Sequence, residues 1–145
     1  MTSAASQHIQ HFVRLITADI KRYQQLLILV QRQKALYLTF DGSELSNNIK
    51  QQAPILDQLN RSSSERTQSM RALGLPCNSA GAEKIINALP SHIRTQVKVQ
   101  WTQLESLVKQ CHQYNQSNGQ SSAAFHELIS HIKQPVQHIY EERTL

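Results

Sequence analysis

The run from Ile9 to Tyr37, IQHFVRLITADIKRYQQLLILVQRQKALY, decides the fold. Within it Ile9, Val13, Ile16, Ile20, Tyr23, Leu27, Val30, Lys34 and Tyr37 follow one another by alternate steps of four and three. On an α-helix that spacing lines a single face. Phe12, Leu15, Leu26 and Leu29 widen the stripe, so the helix is predicted to meet two neighbours rather than one. It should end near Phe40-Asp41-Gly42, where glycine supplies a stop.

Composition agrees with long helices. The chain has 145 residues, about one domain with room for a core. Only 4 Gly and 4 Pro occur, against roughly ten and seven from average usage, too little punctuation for a strand-and-turn fold. Aromatic residues make up 6%, which suits narrow apolar stripes better than a thick core.

Asp41 and Glu44 have the spacing of a capping box and open a second helix. Its heptad reads Leu45, Ile49, Gln52, Leu56, Leu59, Ser63, Arg66, Met70 and Leu73. Pro54 should kink this helix or start a new one. The polar stretch NRSSSERTQS, from Asn60 to Ser69, should hold its neighbours less firmly. Leu73-Gly74-Leu75-Pro76 is a terminator. A short helix, about Ala80 to Leu89, fits next, capped by Asn78 or Ser79. From Pro90 or Ser91 a third long helix carries Ile93, Val97, Trp101, Leu104, Val108, Cys111, Asn115, Asn118, Ser122, Phe125, Ile129, Ile132, Val136 and Ile139 on one stripe. The predicted fold is all-α: three long antiparallel, coiled-coil-like helices, with the short helix between the second and third.

Asn115 and Asn118 thus stand in core phase. Asparagine there fixes register at a cost in stability, and Gln52 is its expected counterpart on the second helix. Gly119, in the weak helix sequence Asn-Gly-Gln-Ser-Ser, costs about 1 kcal/mol relative to alanine. A polar layer at Asn115 and Asn118 just before a flexible joint at Gly119 is the expectation. The single domain then divides into a helical body, residues 1–118, and an amphipathic C-terminal segment, residues 119–145.

Lengths make that joint matter. Two helices of about thirty residues span roughly 45 Å, whereas a third from Ser91 to Tyr140 would reach about 75 Å. Its last two dozen residues would overhang, yet they carry Phe125, Leu128, Ile129, Ile132, Val136 and Ile139. Such a face has its partner elsewhere or folds back on the bundle as a fourth helix. Pro135 weakens the last turns and suits a segment that orders on binding.

Catalytic chemistry is missing from the pattern. His8 and His11 are three apart and His131 and His138 seven apart, without cysteine or carboxylate at ligand spacing, so no metal and no cofactor are expected. No phosphate-cradling glycine loop and no GxSxG occur, and the 10 acidic residues are spread along the chain; an enzyme is not expected. Cys111 falls on the apolar stripe as a small buried residue, and Cys77 sits in a loop. Two cysteines without a secretory signal read as free thiols in a cytoplasmic protein. The longest apolar run, Leu26 to Val30, is too short to cross a bilayer. A net charge of +5 raises nucleic acid as a partner, but the basic residues are scattered and read as a solvated surface.

Several stretches together resemble the FlgN family of flagellar export chaperones. They are Glu65-Arg66 through Met70-Arg71-Ala72-Leu73-Gly74-Leu75-Pro76, then Ala80-Gly81-Ala82-Glu83 with the short helix to Leu89-Pro90, and Trp101-x-x-Leu104 leading to CHQYNQSNG, Cys111 to Gly119. The resemblance covers nearly the whole chain, the first helix by pattern only. It implies a cytoplasmic chaperone of flagellar type III export. Such a chaperone holds hook-associated (hook–filament junction) proteins by their terminal helical segments, prevents premature assembly, and hands them to the export gate and ATPase complex. The family's client site maps onto Phe125, Leu128, Ile129, Ile132, Val136 and Ile139; nucleic acid and membrane insertion play no part.

Other readings stay open. The same tail could pair with its own copy, making the chain a coiled-coil structural adaptor or homo-oligomer. A basic helical nucleic-acid binder is a third possibility. Within the chaperones, a flagellin or filament-cap chaperone is a fourth.

Overall fold

The structure is a computed structural model and describes residues 3–133, with side chains to residue 124. Four helices follow in order: α1 (Ala4–Thr39), α2 (Gly42–Ala72), α3 (Ser79–Asn87) and α4 (Ser91–Lys133). Successive long helices run antiparallel, so α1 and α4 are parallel. Both α2 and α4 pack on α1 along its length, whereas α3 packs on α4. The widened stripe of α1 does meet two neighbours. The expected architecture of three long helices with a short one in the second connection is the observed one.

Local chemistry sets each boundary. Ser3 caps α1, its Oγ accepting from Ser6 N–H at 3.1 Å. The chain reverses at Phe40, which takes a left-handed conformation with φ 56°, while Gly42, the expected stop, is instead the first residue of α2. Asp41 caps α2 by accepting from Glu44 N–H at 3.0 Å. At the far end Gly74, with φ 69°, lets Leu75 N–H return to the Met70 carbonyl at 2.9 Å. Asn78 caps α3, its Oδ1 accepting from Ala80 N–H at 3.0 Å and Gly81 N–H at 3.3 Å.

Pro54 neither ends α2 nor starts another helix. It lies on the exposed face, and it supplies no amide to the carbonyl of Lys50, itself an exposed residue.

The core is thickest where α3 wedges against the pair. There Phe12, Ile16 and Ile20 of α1 meet Met70, Ala82, Ile85, Ile86, Leu89, Val97, Leu104 and Leu107, with Trp101 tilted against Phe12 at 5.9 Å. A smaller cluster of Leu26, Val30, Leu59 and Cys111 follows, then Leu36, Tyr37 and Leu45 near the α1–α2 turn.

The contact line of α2 differs from its heptad. Buried residues are Leu45, Asn48, Gln52, Leu59, Ser62, Ser69 and Met70, while Ile49 and Leu56 are 47% and 43% exposed. In α4, Leu107 is buried and Val108 exposed. A straight helix turns 3.6 residues against a 3.5-residue repeat, so a strict heptad drifts off the contact line. The polar middle of α2 meets α1 through a buried polar cluster around Asp19. Ser62 Oγ donates to Asp19 Oδ2 at 2.7 Å, and Arg66 Nη1 donates to the same oxygen. Arg22 Nη1 donates to Asp19 Oδ1 at 3.1 Å.

Candidate binding surface

The α1–α4 register comes from contacts between residues 88 apart: Cys111 Sγ lies 3.7 Å from the Tyr23 carbonyl, and Asn118 Nδ2 donates to the Val30 carbonyl at 2.9 Å. That offset sets Thr39, the last residue of α1, at about the level of Glu127. The part of α4 described beyond that level is residues 128–133, and α1 itself begins at Ala4 and runs 36 residues rather than about thirty. Positions 125, 128, 129 and 132 lie in the helical backbone of α4, at spacings that place them on one stripe. Val136 and Ile139 lie outside the described residues, so the six positions of the expected client face are only partly covered.

Asn118 is buried at 2% exposure. Its amide reaches the Val30 carbonyl from one side, and from the other side Asn48 Nδ2 donates to the adjacent Leu29 carbonyl at 2.9 Å. Two asparagines, one from each flanking helix, thus read consecutive α1 carbonyls. A slide of either helix by one residue breaks such a bond inside the bundle. Asn118 Oδ1 has no protein partner, which makes the layer specific rather than strong. Gln52 bonds Gln33 Oε1 and Asn48 Oδ1, both at 2.8 Å, and not Asn115. Asn115 is exposed, on the groove side of α4.

Gly119 sits inside α4 as ordinary helix, exposed, with nothing within 4 Å of where a Cβ would stand. Gly119→Ala is therefore expected to stabilise by about 1 kcal/mol, read as a higher midpoint in urea. An unchanged or lower midpoint would show that position 119 needs glycine's freedom.

A groove of about 230 Å³ opens between α2 and α4. Its floor is Tyr23, Leu26 and Val30 of α1, and its walls include Leu56 and Val108. These walls are heptad residues that the drifted contact lines leave uncovered. Sequence reading placed them in the core, and only the absence of substantial α2–α4 packing turns them outward.

Cys111 is 5% exposed, and burial pushes its thiol up to about 11. Cys77 is exposed. An aromatic disulfide reagent at pH 8 should label one thiol in the native protein and a second only on unfolding. Labelling of Cys111 on the native timescale would mean that α4 leaves α1. The raised value also carries a linkage sign: the unfolded thiol ionises from about 9, the native one near 11, so this contribution to stability is full below pH 9 and lost on rising through 11.

Among the described residues no group of three or more His, Cys, Asp or Glu could hold a metal. His11 lies 3.9 Å from Glu65. No helix among them is long and apolar enough to cross a membrane.

What the fold and these surfaces define is an elongated helical bundle that offers grooves and helix faces along its length. The FlgN protein family model matches residues 1–140, and the chain belongs to that family, a chaperone-type family of flagellar synthesis and export. A solved structure with the same fold is that of a flagella synthesis protein FlgN from Pseudomonas aeruginosa, determined by crystallography at 1.48 Å. It is 20% identical, with a TM-score of 0.71 over 84% of this chain and 90% of that one. No curated protein matches the sequence.

Proposed function

We propose that the protein is a cytoplasmic export chaperone for hook-associated proteins of the hook–filament junction. It holds their terminal helical segments on the end of α4 and passes them to the flagellar export gate and its ATPase complex. The observation that carries this reading is the unbroken run of α4 past the end of α1: positions 128–133 continue as helix where α1 has stopped. An amphipathic client segment can lay its apolar stripe along positions 125, 128, 129, 132, 136 and 139, which keeps that stripe from assembling prematurely. Asn118 supports the reading by holding α4 at a set height on α1, so that the length running past the end of α1 is defined. Coupled ordering of the client keeps affinity modest and release reversible.

The test is calorimetric titration of the full chain and of the double variant Ile129→Asp, Ile132→Asp with the C-terminal segment of a hook–filament junction protein. Binding by the full chain, and loss of binding by the variant at unchanged helical content, is the expected result. Equal binding by both would move the client site off α4. No binding by either, together with a dimer in light scattering that the double variant dissolves, would favour the self-pairing adaptor.

A further inference from the structure

Three of the 15 basic residues stand together on one face of α1, beside Gln58 of α2. Arg14, Lys21 and Arg22 line an open concavity of about 750 Å³ with Thr17, Gln25 and Gln58, and no acidic residue lines it. Helix α1 carries Arg14, Lys21, Arg22, Arg32 and Lys34, and its single acid is Asp19. Asp19 is fully buried and already held by Arg22, Arg66 and Ser62. Every charge that α1 presents to solvent is therefore positive. On α2, Glu65 lies beside His11 at 3.9 Å, and neither it nor Asp57, the neighbour of Gln58, lines the crease.

We propose that this crease binds an acidic helical segment of a partner protein, with carboxylates seven residues apart. Arg14 and Lys21 are seven residues apart on one stripe of α1, about 10 Å along the axis. A second helix laid lengthwise presents its i and i+7 side chains at the same pitch. Ala18 stands between the two cations, so the partner's backbone can come close. The amides of Gln25 and Gln58 supply hydrogen-bonding groups at the rim.

Single-stranded nucleic acid favours aromatic platforms beside its cations, and no aromatic residue lines this crease. The crease faces the Arg14–Gln25 stretch, roughly 18 Å along the axis below the level of residue 125. An acidic partner and a client on α4 can therefore be held together, and the surface goes beyond the client reading.

Fluorescence anisotropy of the full chain at low salt tests this with two labelled alanine-based helical peptides of equal charge. One carries Glu at seven-residue spacing; the other has the same residues in scrambled order. The spaced peptide should bind more tightly. The double variant Arg14→Gln, Lys21→Gln should weaken it about tenfold, as two exposed ion pairs are lost. Both side chains are exposed, and a melting curve checks that this variant folds. The control Lys50→Gln, Lys109→Gln removes the same charge from exposed positions elsewhere and should change affinity about twofold at most. Equal binding of both peptides overturns the proposal, as does an equal loss in the control variant. So does an absence of peptide binding while phosphatidylglycerol vesicles or duplex DNA bind the same surface.

Discussion

Replacing Asp19 by alanine is expected to cost about 3 to 5 kcal/mol of stability, measured as a fall in the urea midpoint at unchanged m. The carboxylate is fully buried in α1. Its loss of hydration is offset by Arg22 and Arg66 and by the Ser62 hydroxyl. Removing it leaves the Arg66 guanidinium, whose side chain is 15% exposed, desolvated and without its anion. Asp19→Asn should cost less than alanine, because the amide still accepts from one donor. Ser62→Ala should cost only about 1 kcal/mol, the ordinary worth of one hydrogen bond. If Asp19→Ala cost less than the Ser62 change, the carboxylate would be a bystander and α2 would be held by Leu45, Leu59 and Met70 alone.

That cluster also gives α2 its character. Its buried surface includes Asn48, Gln52, Ser62 and Ser69, whereas α4 brings Val97, Leu104, Leu107 and Cys111 to the core. Among the described residues the α1–α4 pair is mostly apolar, with Asn118 its buried polar residue; the α1–α2 pair is keyed by polar groups at Asp19 and at Asn48. A polar key loses its partners abruptly on a one-residue slip, whereas an apolar stripe can slide at smaller cost. Register along α1 is therefore set largely by α2 and by the two asparagines, and bulk stability by α4 and α3.

How much of this was legible in the sequence depends on the kind of signal. The period of α1 and its two-sided stripe could be read, because nothing competes with a four-three pattern kept over nine positions. Caps at Asp41 and Asn78 and the stop at Gly74 were readable for the same local reason. Asp19 belongs to no local motif, although it stands four residues after Leu15 and seven before Leu26, in phase with a stripe that buries both. An acid at such a place signals a cation across the interface, but which cation depends on how α2 lies against α1. Asn115 and Asn118 look alike in sequence, yet one is exposed and the other buried. The heptad drift separates them, and no local pattern shows on which side of the contact line each will fall. The groove was illegible for a further reason: Leu56 and Val108 are core residues of a closed bundle and wall residues of an open one.

Gly81→Ala is expected to be the most damaging of the glycine substitutions, at about 3 kcal/mol. A methyl at position 81 would stand 1.9 Å from the Pro76 carbonyl oxygen and 3.2 Å from Met70 Sδ. The sulfur can move, but the carbonyl cannot move freely. It belongs to a chain reversal fixed by Gly74 in its left-handed conformation and by the Leu75-to-Met70 bond. Relief must come from α3 itself, which carries Ala82, Ile85 and Ile86 into the thickest part of the core. Lifting it opens cavities beside Phe12 and Leu104. Gly42→Ala, at a helix start with open space around it, should be nearly neutral, and Gly119→Ala stabilising. The ordering of the three alanines in urea is thus a direct measure of how tightly α3 is wedged. Should Gly81→Ala match Gly42→Ala, α3 would be a loose cover over the α2–α4 connection. The same variant separates support from recognition, since position 81 lies at the opposite end of the bundle from the end of α4. At a temperature where Gly81→Ala remains folded, its affinity for a client segment should equal that of the unaltered chain. A loss of affinity there would mean that α3 takes part in binding and is more than a wedge.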